Sequence, residues 1–201
     1  MPSKATNAAT AVLSEKPKPE GVKTLYPTLT SVRTRPATVD DAPLVHDLYL
    51  ATPGYFEIIS MPMPTAQEVA TDLATAVADP RRHVEIVLWP GDDPELPAAA
   101  GCRTDPVSGA PVAGYLDYKL DYPEDGDATV NLLLVRPGLQ SYGVGSACAQ
   151  DLEARLAGRS RRLLASIYGD NPRAKRFWER LGYHFAIDAK PLLEWYAKQL
   201  A

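Results

Sequence analysis

One stretch, Thr129 to Leu156 (TVNLLLVRPGLQSYGVGSACAQDLEARL), constrains the fold more than any other part of the chain. From Thr129 to Val135 a run of leucine and β-branched residues has the length and composition of a buried strand. Pro137-Gly138 stops it, because proline has no N–H to offer a ladder. Beyond the turn, Cys148, Leu152 and Leu156 recur at four-residue spacing and Gly158 closes the run, which predicts a helix with one apolar face. A strand, a glycine-bearing turn and a helix N-terminus form a natural seat for an anion, since the first helical N–H groups lack partners and carry partial positive charge. Gly143 and Gly145 would let the backbone approach such an anion without a Cβ in the way, although glycines at these positions can also do no more than shape a tight turn. A Walker A loop is disfavoured because Gly145 is followed by Ser146-Ala147 rather than Lys-Ser/Thr. A dinucleotide fingerprint is disfavoured too: Cys148 stands where a third glycine is needed, and the next strand ends in Tyr168-Gly169 instead of an acidic residue.

The stretch resembles the acyl-CoA binding motif of the GNAT superfamily of N-acyltransferases, Gln/Arg-x-x-Gly-x-Gly/Ala after a strand ending in Val-x-Pro. Here it stands as Val135-Arg136-Pro137 followed by Gln140-Ser141-Tyr142-Gly143-Val144-Gly145. Asn171-Pro172-Arg173-Ala174 through Phe177-Trp178 to Leu181-Gly182-Tyr183 looks like the family's second signature, one strand further on. The resemblance covers about Val32 to Leu200. It implies a mixed α/β (α+β) fold: a central, largely antiparallel twisted sheet of six to seven strands flanked by about four helices, with residues 32–201 as one domain after an arm over 1–31.

The totals are compatible with that reading. A chain of 201 residues with 45% hydrophobic and 23% charged residues can bury one sizeable core. A net charge of −4 gives no argument for nucleic-acid binding. No apolar run is long enough to suggest a membrane span. The Ala8 to Leu13 run is too short and too broken for a signal peptide, so the cytoplasm is the expected location. Two cysteines, Cys102 and Cys148, make no disulfide scaffold, no zinc spacing occurs and no metal is expected. Cys148 on its apolar helix face is a packing residue by this reading.

In chain order, the first thirty residues mix Ala, Thr, Lys and Pro and read as an arm, with Val22, Leu25, Tyr26 and Leu29 as the residues that could pin it. Val32 to Ala37 reads as a strand. Thr38 to Asp41 opens a helix carrying Val45, Leu48 and Tyr49, and Thr65 to Glu68 opens another with Val69, Leu73, Ala76 and Val77 inward. Thr52 to Phe56 is expected to be a loop between them. Val84, Ile86 and Leu88 alternate as in a strand, Ala98 to Arg103 suggests a short strand within a Pro/Gly/Asp-rich insertion, and Val112 to Lys119 pairs in a hairpin with one of these two. Leu163 to Tyr168 is a strand. Phe185 to Lys198 suggests a last hairpin, although Leu192 to Leu200 also suits a helix.

The resemblance implies chemistry. An amine attacks the thioester of acetyl-CoA in a cleft where two neighbouring strands, Val130 to Val135 and Leu163 to Tyr168, splay apart. Main chain of Leu133, Leu134 and Val135 would pair with the pantetheine, and the amides of Gln140, Ser141, Tyr142, Gly143, Val144 and Gly145 would hold the pyrophosphate, with Ser146 a further cofactor contact; Leu134 or Val135 would supply the N–H that polarises the thioester oxygen. Asn171, Arg173, Arg176 and Phe177 are further candidates for the CoA chain and phosphates. Asn171 also suits a helix cap with Pro172 at the first position. Tyr55, Phe56 and Glu57 fall in the segment that covers the acceptor in this family, although the two rings could simply pack helices together. The family's acidic tyrosine corresponds to Trp178, which cannot donate a proton, so Tyr168 and Tyr142 are the substitutes. Its carboxylate base corresponds to Asn131, so Asp117 and Glu57 are the candidates. These departures leave a CoA-binding sensor or inactive member as the alternative to an active enzyme. Family members are often dimers, so the resemblance admits a homodimer with no membrane or nucleic-acid partner. From Arg136 to Arg180 there are nine basic and four acidic residues, and from Asp92 to Asp127 two basic and nine acidic. That pattern suits either a basic rim for phosphates, with Arg173, Lys175 and Arg176 as candidates, and an acidic side for a cationic amine, or two unrelated solvated faces.

Overall fold

The computed structural model describes residues 29, 31–91, 94–190 and 193–200. Strand β1 (Arg33–Pro36) leads through a 3-10 turn into α1 (Ala42–Ala51), α2 (Pro53–Ile58) and α3 (Ala66–Ala78). Strand β2 (Arg82–Leu88), the short α4 (Glu95–Ala99), β3 (Val112–Leu120) and β4 (Asp127–Val135) follow. The chain then forms α5 (Val144–Leu156), β5 (Arg162–Tyr168), α6 (Pro172–Arg180), β6 (His184–Lys190) and β7 (Leu193–Gln199). All seven strands join one sheet in the order β1-β2-β3-β4-β5-β7-β6, antiparallel everywhere except between β4 and β5.

Side chains of a strand alternate between its faces, so a sheet covered on both sides builds two cores. Val84, Ile86 and Leu88 of β2 pack with Val45 and Leu48 of α1 and Val69, Leu73 and Ala76 of α3. Val87, Leu116 and Val130 face the other way, against Cys148, Leu152 and Leu156 of α5 and Trp178 of α6. Both N-terminal signals for helices are realised. The Glu68 carboxylate accepts from the Thr65 N–H at 2.7 Å while the Thr65 hydroxyl accepts from the Glu68 N–H at 3.2 Å, and Asp41 accepts from the Thr38 N–H at 2.8 Å.

Several expectations change. Val77 is exposed, one position past the inward stripe of α3. Thr52 to Phe56 is mostly helical: Pro53 begins α2, and burial of Phe56 against Tyr49 and Tyr55, with ring centroids 5.1 and 5.3 Å away, holds the turn. Ala98 to Arg103 is not a strand. α4 ends at Ala99, and Ala100 seats on Gly138, where an added Cβ would lie 2.6 Å from that of Ala100. Strand β3 therefore pairs with β2, and the last segment is a β6–β7 hairpin. The two short helices raise the count among the described residues to six. The arm over 1–31 lies outside the described residues except for Leu29 and Ser31.

The insertion is anchored from inside. Arg35 donates from Nη1 and Nη2 to Asp41 at 2.8 and 2.7 Å, and from Nε at 2.9 Å and also from Nη2 to the fully buried Asp105, whose other oxygen accepts from Ser108. These bonds hold both carboxyls below the usual carboxylate range. Carboxylates shifted down stabilise the fold above their unfolded value, about pH 3.9, and that contribution is lost as pH falls further. Asp105→Asn keeps the shape and removes the charge; the melting temperature is expected to drop by about 5 °C at pH 7, with the gap from wild type closing below about pH 4. Melting curves across pH check both parts.

Candidate active site

Strands β4 and β5 run parallel for only four residue pairs, Asp127↔Arg162 to Val130↔Ala165, and then separate. The closed end is pinned by charge. Asp127, fully buried, accepts from Arg162 Nε and Nη2 at 2.8 Å each and from Arg161 Nε at 3.0 Å. Burial alone would raise its pKa, but the two guanidiniums hold it below the usual range. The open end begins at Asn131. On the other side of β4 the pairing with β3 jumps from Tyr118↔Val130 to Asp117↔Leu132, so Asn131 is the extra residue of a β-bulge, which bends β4 away.

Beyond the bulge the strand amides alternate between β3 and the gap. The Arg136 N–H donates to Ala113 on the β3 side at 2.9 Å, so Leu134, two residues back and opposite Tyr115, is also turned to β3. Of the two amides considered for the thioester oxygen, that of Leu134 is therefore engaged in the sheet, and Val135 faces the gap together with Leu133. The Gln140 side chain donates to the Val135 carbonyl at 2.8 Å and ties the loop to the strand end.

The loop delivers backbone amides to the mouth of this gap. A 3-10 turn at Pro137–Leu139 buries Leu139, Ser141 adopts φ 70°, and Gly143 at φ 90° serves as N-cap of α5. The left-handed φ at Gly143 is one that glycine adopts without strain. Ala147 donates to the Gly143 carbonyl at 2.9 Å as the first helical bond. The N–H groups of Val144, Gly145 and Ser146 thus precede it and have no intrahelical acceptor. A Cβ on Gly145 would touch the Phe177 ring at 3.4 Å and Val135 at 3.7 Å, so strand end, loop and α6 meet here. Asn171 caps α6, accepting from the Ala174 N–H at 2.9 Å. Arg173 and Arg176 lie exposed on α6 with no ion pair among the described residues, whereas Lys175 pairs with Glu194 at 2.8 Å. Trp178, at the position of the family's acid, is buried against Tyr183 with centroids 4.8 Å apart, a core residue.

On the opposite face of the sheet, the one covered by α1 and α3, lie the acceptor-side residues. Gly169, just past β5, has φ 65° and no room for a Cβ, which would collide with the Ile58 carbonyl oxygen; α2 therefore abuts the end of β5. This brings Tyr55 beside Tyr168. Burial pushes Tyr55 up to about 12, helped by the neighbouring Tyr168 and Asp117. Burial likewise raises Tyr168, with Tyr122 and Asp117 adding to it, and raises Tyr49 and Tyr115, on which Asp117 also acts. Asp117 is the centre of this group. It is buried and takes Arg82 Nε at 3.1 Å to each oxygen, Arg82 Nη2 at 2.5 Å and Asn131 Nδ2 at 3.0 Å.

Tyr168, Tyr55 and Asp117 are thus brought together. Glu57 lies exposed on α2 next to Ile58, and among the described residues it carries no ion pair. The Phe56 ring is buried between its tyrosine neighbours. Tyr142 packs toward the α5–α6 core and its carbonyl accepts from the Leu29 N–H at 3.5 Å, on the other side of the sheet from Tyr168. Tyr115 was readable from the sequence, two residues before Asp117 and so on the same face of β3. Tyr49 and Arg82 were not, since only the tertiary fold brings them to Asp117. The acidic stretch divides: Asp105, Asp117 and Asp127 are buried in ion pairs, whereas Glu95, Asp121, Glu124 and Asp125 are exposed. Cys148 is buried, and its thiol is pushed up to about 12 by burial, as fits packing. Among the described residues no three His, Cys, Asp or Glu side chains are grouped to hold a metal, and no helix is long and apolar enough to cross a membrane.

No curated protein matches the sequence. Among solved structures, an acetyltransferase from Thermus thermophilus is 36% identical, with a TM-score of 0.70 over 86% of this chain and 99% of that one. RimL, a ribosomal L7/L12 alpha-N-protein acetyltransferase in complex with coenzyme A, shares the fold at 16% identity and TM-score 0.64, covering 87% of this chain and 97% of its own. So does an acetyltransferase from Salmonella typhimurium that modifies the N-terminal serine of ribosomal protein L7/L12, at 16% identity and TM-score 0.65, over 87% and 98% of the two chains. The model of the acetyltransferase (GNAT) family matches residues 67–183, which run from α3 through the split strands and the loop to the end of α6. With that match over more than half its length, the chain belongs to the GNAT acetyltransferase family.

Proposed function

We propose that this protein transfers the acetyl group of acetyl-CoA to a primary amine by direct attack within a ternary complex. The observation that carries the reading is the β4–β5 gap, with strand amides of Leu133 and Val135 on one wall and the unpartnered first amides of α5 at its mouth. Pantetheine is an extended chain of amides and suits an unpaired strand, while its pyrophosphate suits a helix N-terminus. Gln140, Ser141, Tyr142, Gly143, Val144, Gly145 and Ser146 form the phosphate seat, Arg173 and Arg176 its basic rim, and Phe177 and Asn171 its α6 side. Coenzyme A in the RimL complex supports the choice of ligand.

The amine enters from the α1–α3 face, past Tyr55, and its lone pair attacks the thioester carbon. The Val135 N–H stabilises the developing oxyanion, and holding both reactants in line supplies much of the rate, roughly 7–11 kcal/mol in favourable cases. Collapse expels the CoA sulfur, to which Tyr168 gives its proton. A tyrosine held protonated by burial suits an acid, not a base. Asp117, with both oxygens bonded to Arg82, is poorly placed to take a proton, and Glu57 is the carboxylate left to receive the one the amine loses. The acceptor is a small-molecule or peptide amine; the N-terminal serine modified by the Salmonella protein is one such amine.

A thermal-shift titration tests cofactor binding. At about 100 times its dissociation constant a ligand adds roughly 2.7 kcal/mol, an upward shift of several degrees for a chain of this size. Acetyl-CoA and CoA should each give it and NAD should not; no shift with either CoA species sinks the proposal. A second reading, CoA binding without turnover, draws on the buried Trp178 at the family's acid position. Release of free CoA thiol with a panel of amines separates the two.

A further inference from the structure

Resting on the acetyl-transfer reading, we propose that Asn131 positions the incoming amine through its side-chain oxygen, and that Asp117 and Arg82 fix which end of that amide faces the gap. Asn131 is the extra residue of the β4 bulge and the first one past the last β4–β5 pair, so it stands where the cleft begins. Its side chain is half-buried and lies 3.0 Å, nitrogen to oxygen, from Asp117. A carboxylate bound by a guanidinium has only acceptors to offer, so the Asn131 atom facing it is the NH2 group. The oxygen sits on the other arm of the same planar amide, directed away from Asp117, and takes no hydrogen bond among the described residues.

The gap therefore presents a fixed acceptor at its inner end. An attacking amine has N–H groups to donate and must aim its lone pair at the thioester. One N–H held by Asn131 removes a rotation that would turn the lone pair away. The Arg82–Asp117 pair is internally neutralised, so the amine is selected here by a hydrogen bond and the tyrosine walls, not by an anion. Asn131 is on this account a substrate-contacting residue, and Asp117 and Arg82 are positioning residues.

The test is steady-state kinetics on the best amine found for the wild type. Asn131→Ala should raise the KM for the amine roughly tenfold or more, while the KM for acetyl-CoA and the melting temperature stay close to wild type. Asp117→Asn should raise the KM for the amine by another route, with a lower melting temperature from the broken Arg82 pair. An amide at 117 offers NH2 to position 131, so Asn131 turns its oxygen inward and presents NH2 to the amine. The double variant should be no worse than the poorer single one, because both remove the same contact. An unchanged amine KM in Asn131→Ala, or additive losses in the double variant, overturns the role of Asn131 and leaves acetyl transfer standing. A wild type that binds acetyl-CoA and acetylates no amine overturns both.

Discussion

Gly143→Asp is expected to weaken acetyl-CoA binding at least hundredfold with little loss of fold. Gly143 precedes α5 at φ 90°, where a side chain costs about 1–2 kcal/mol. The larger effect is electrostatic. The new carboxylate would itself sit at the helix N-terminus, where negative charge is welcome, and so occupy the place of the pyrophosphate. Like charges in contact cost several kcal/mol, and every 1.4 kcal/mol is tenfold in affinity. Calorimetric titration with acetyl-CoA measures the loss, and a melting curve verifies the fold. Unchanged affinity would remove the loop from the cofactor site and with it the central assignment.

The second large effect is expected at Tyr168. General acid catalysis contributes about 10²–10⁴-fold, so Tyr168→Phe should lower kcat by a factor in that range and leave acetyl-CoA affinity as it was. Tyr168 is 43% exposed at the end of β5, so removing the hydroxyl opens no cavity. Burial raises the pKa of this phenol, which means it stays protonated to a higher pH than the ordinary value of about 10. The wild-type kcat should therefore show no alkaline fall from this group below about pH 10. Tyr142→Phe is the control for kcat, expected near wild type because the Tyr142 side chain packs into the α5–α6 core and only its main chain serves the phosphate seat. Equal kcat in Tyr168→Phe and wild type would take the acid role away from it.

The parts of this fold that were legible in the sequence are those written in adjacent residues. The strand from Thr129 to Val135, the stop at Pro137-Gly138, the helix face of Cys148, Leu152 and Leu156, and the two N-terminal caps all depend on neighbours within a turn or two. What the sequence hid depends on distance. Ala98 to Arg103 carries β-compatible residues, yet its neighbours Glu95 to Ala99 close a helical turn because Ala100 has Gly138 to rest on. Arg35 and Asp105 are 70 residues apart and neither signals the other. The site divides in the same way. The phosphate loop is a local motif, whereas the surroundings of Asp117 come from β2, β3, β4 and the helices above, so its engagement with Arg82 was invisible. Asn131 was noticeable only as an amide where a carboxylate was sought, and the bulge that gives it a position exists only between strands.

The parting of β4 from β5 after Val130 and Ala165 puts a rim in the middle of a sheet. Rims usually lie at the outside, where open amides invite strands from other proteins. Here the unused donors sit in a crevice between two half-sheets, β1 to β4 on one side and β5, β7 and β6 on the other. The fold thereby keeps hydrogen-bonding capacity that would be hazardous on its perimeter, and reserves it for a guest of molecular width.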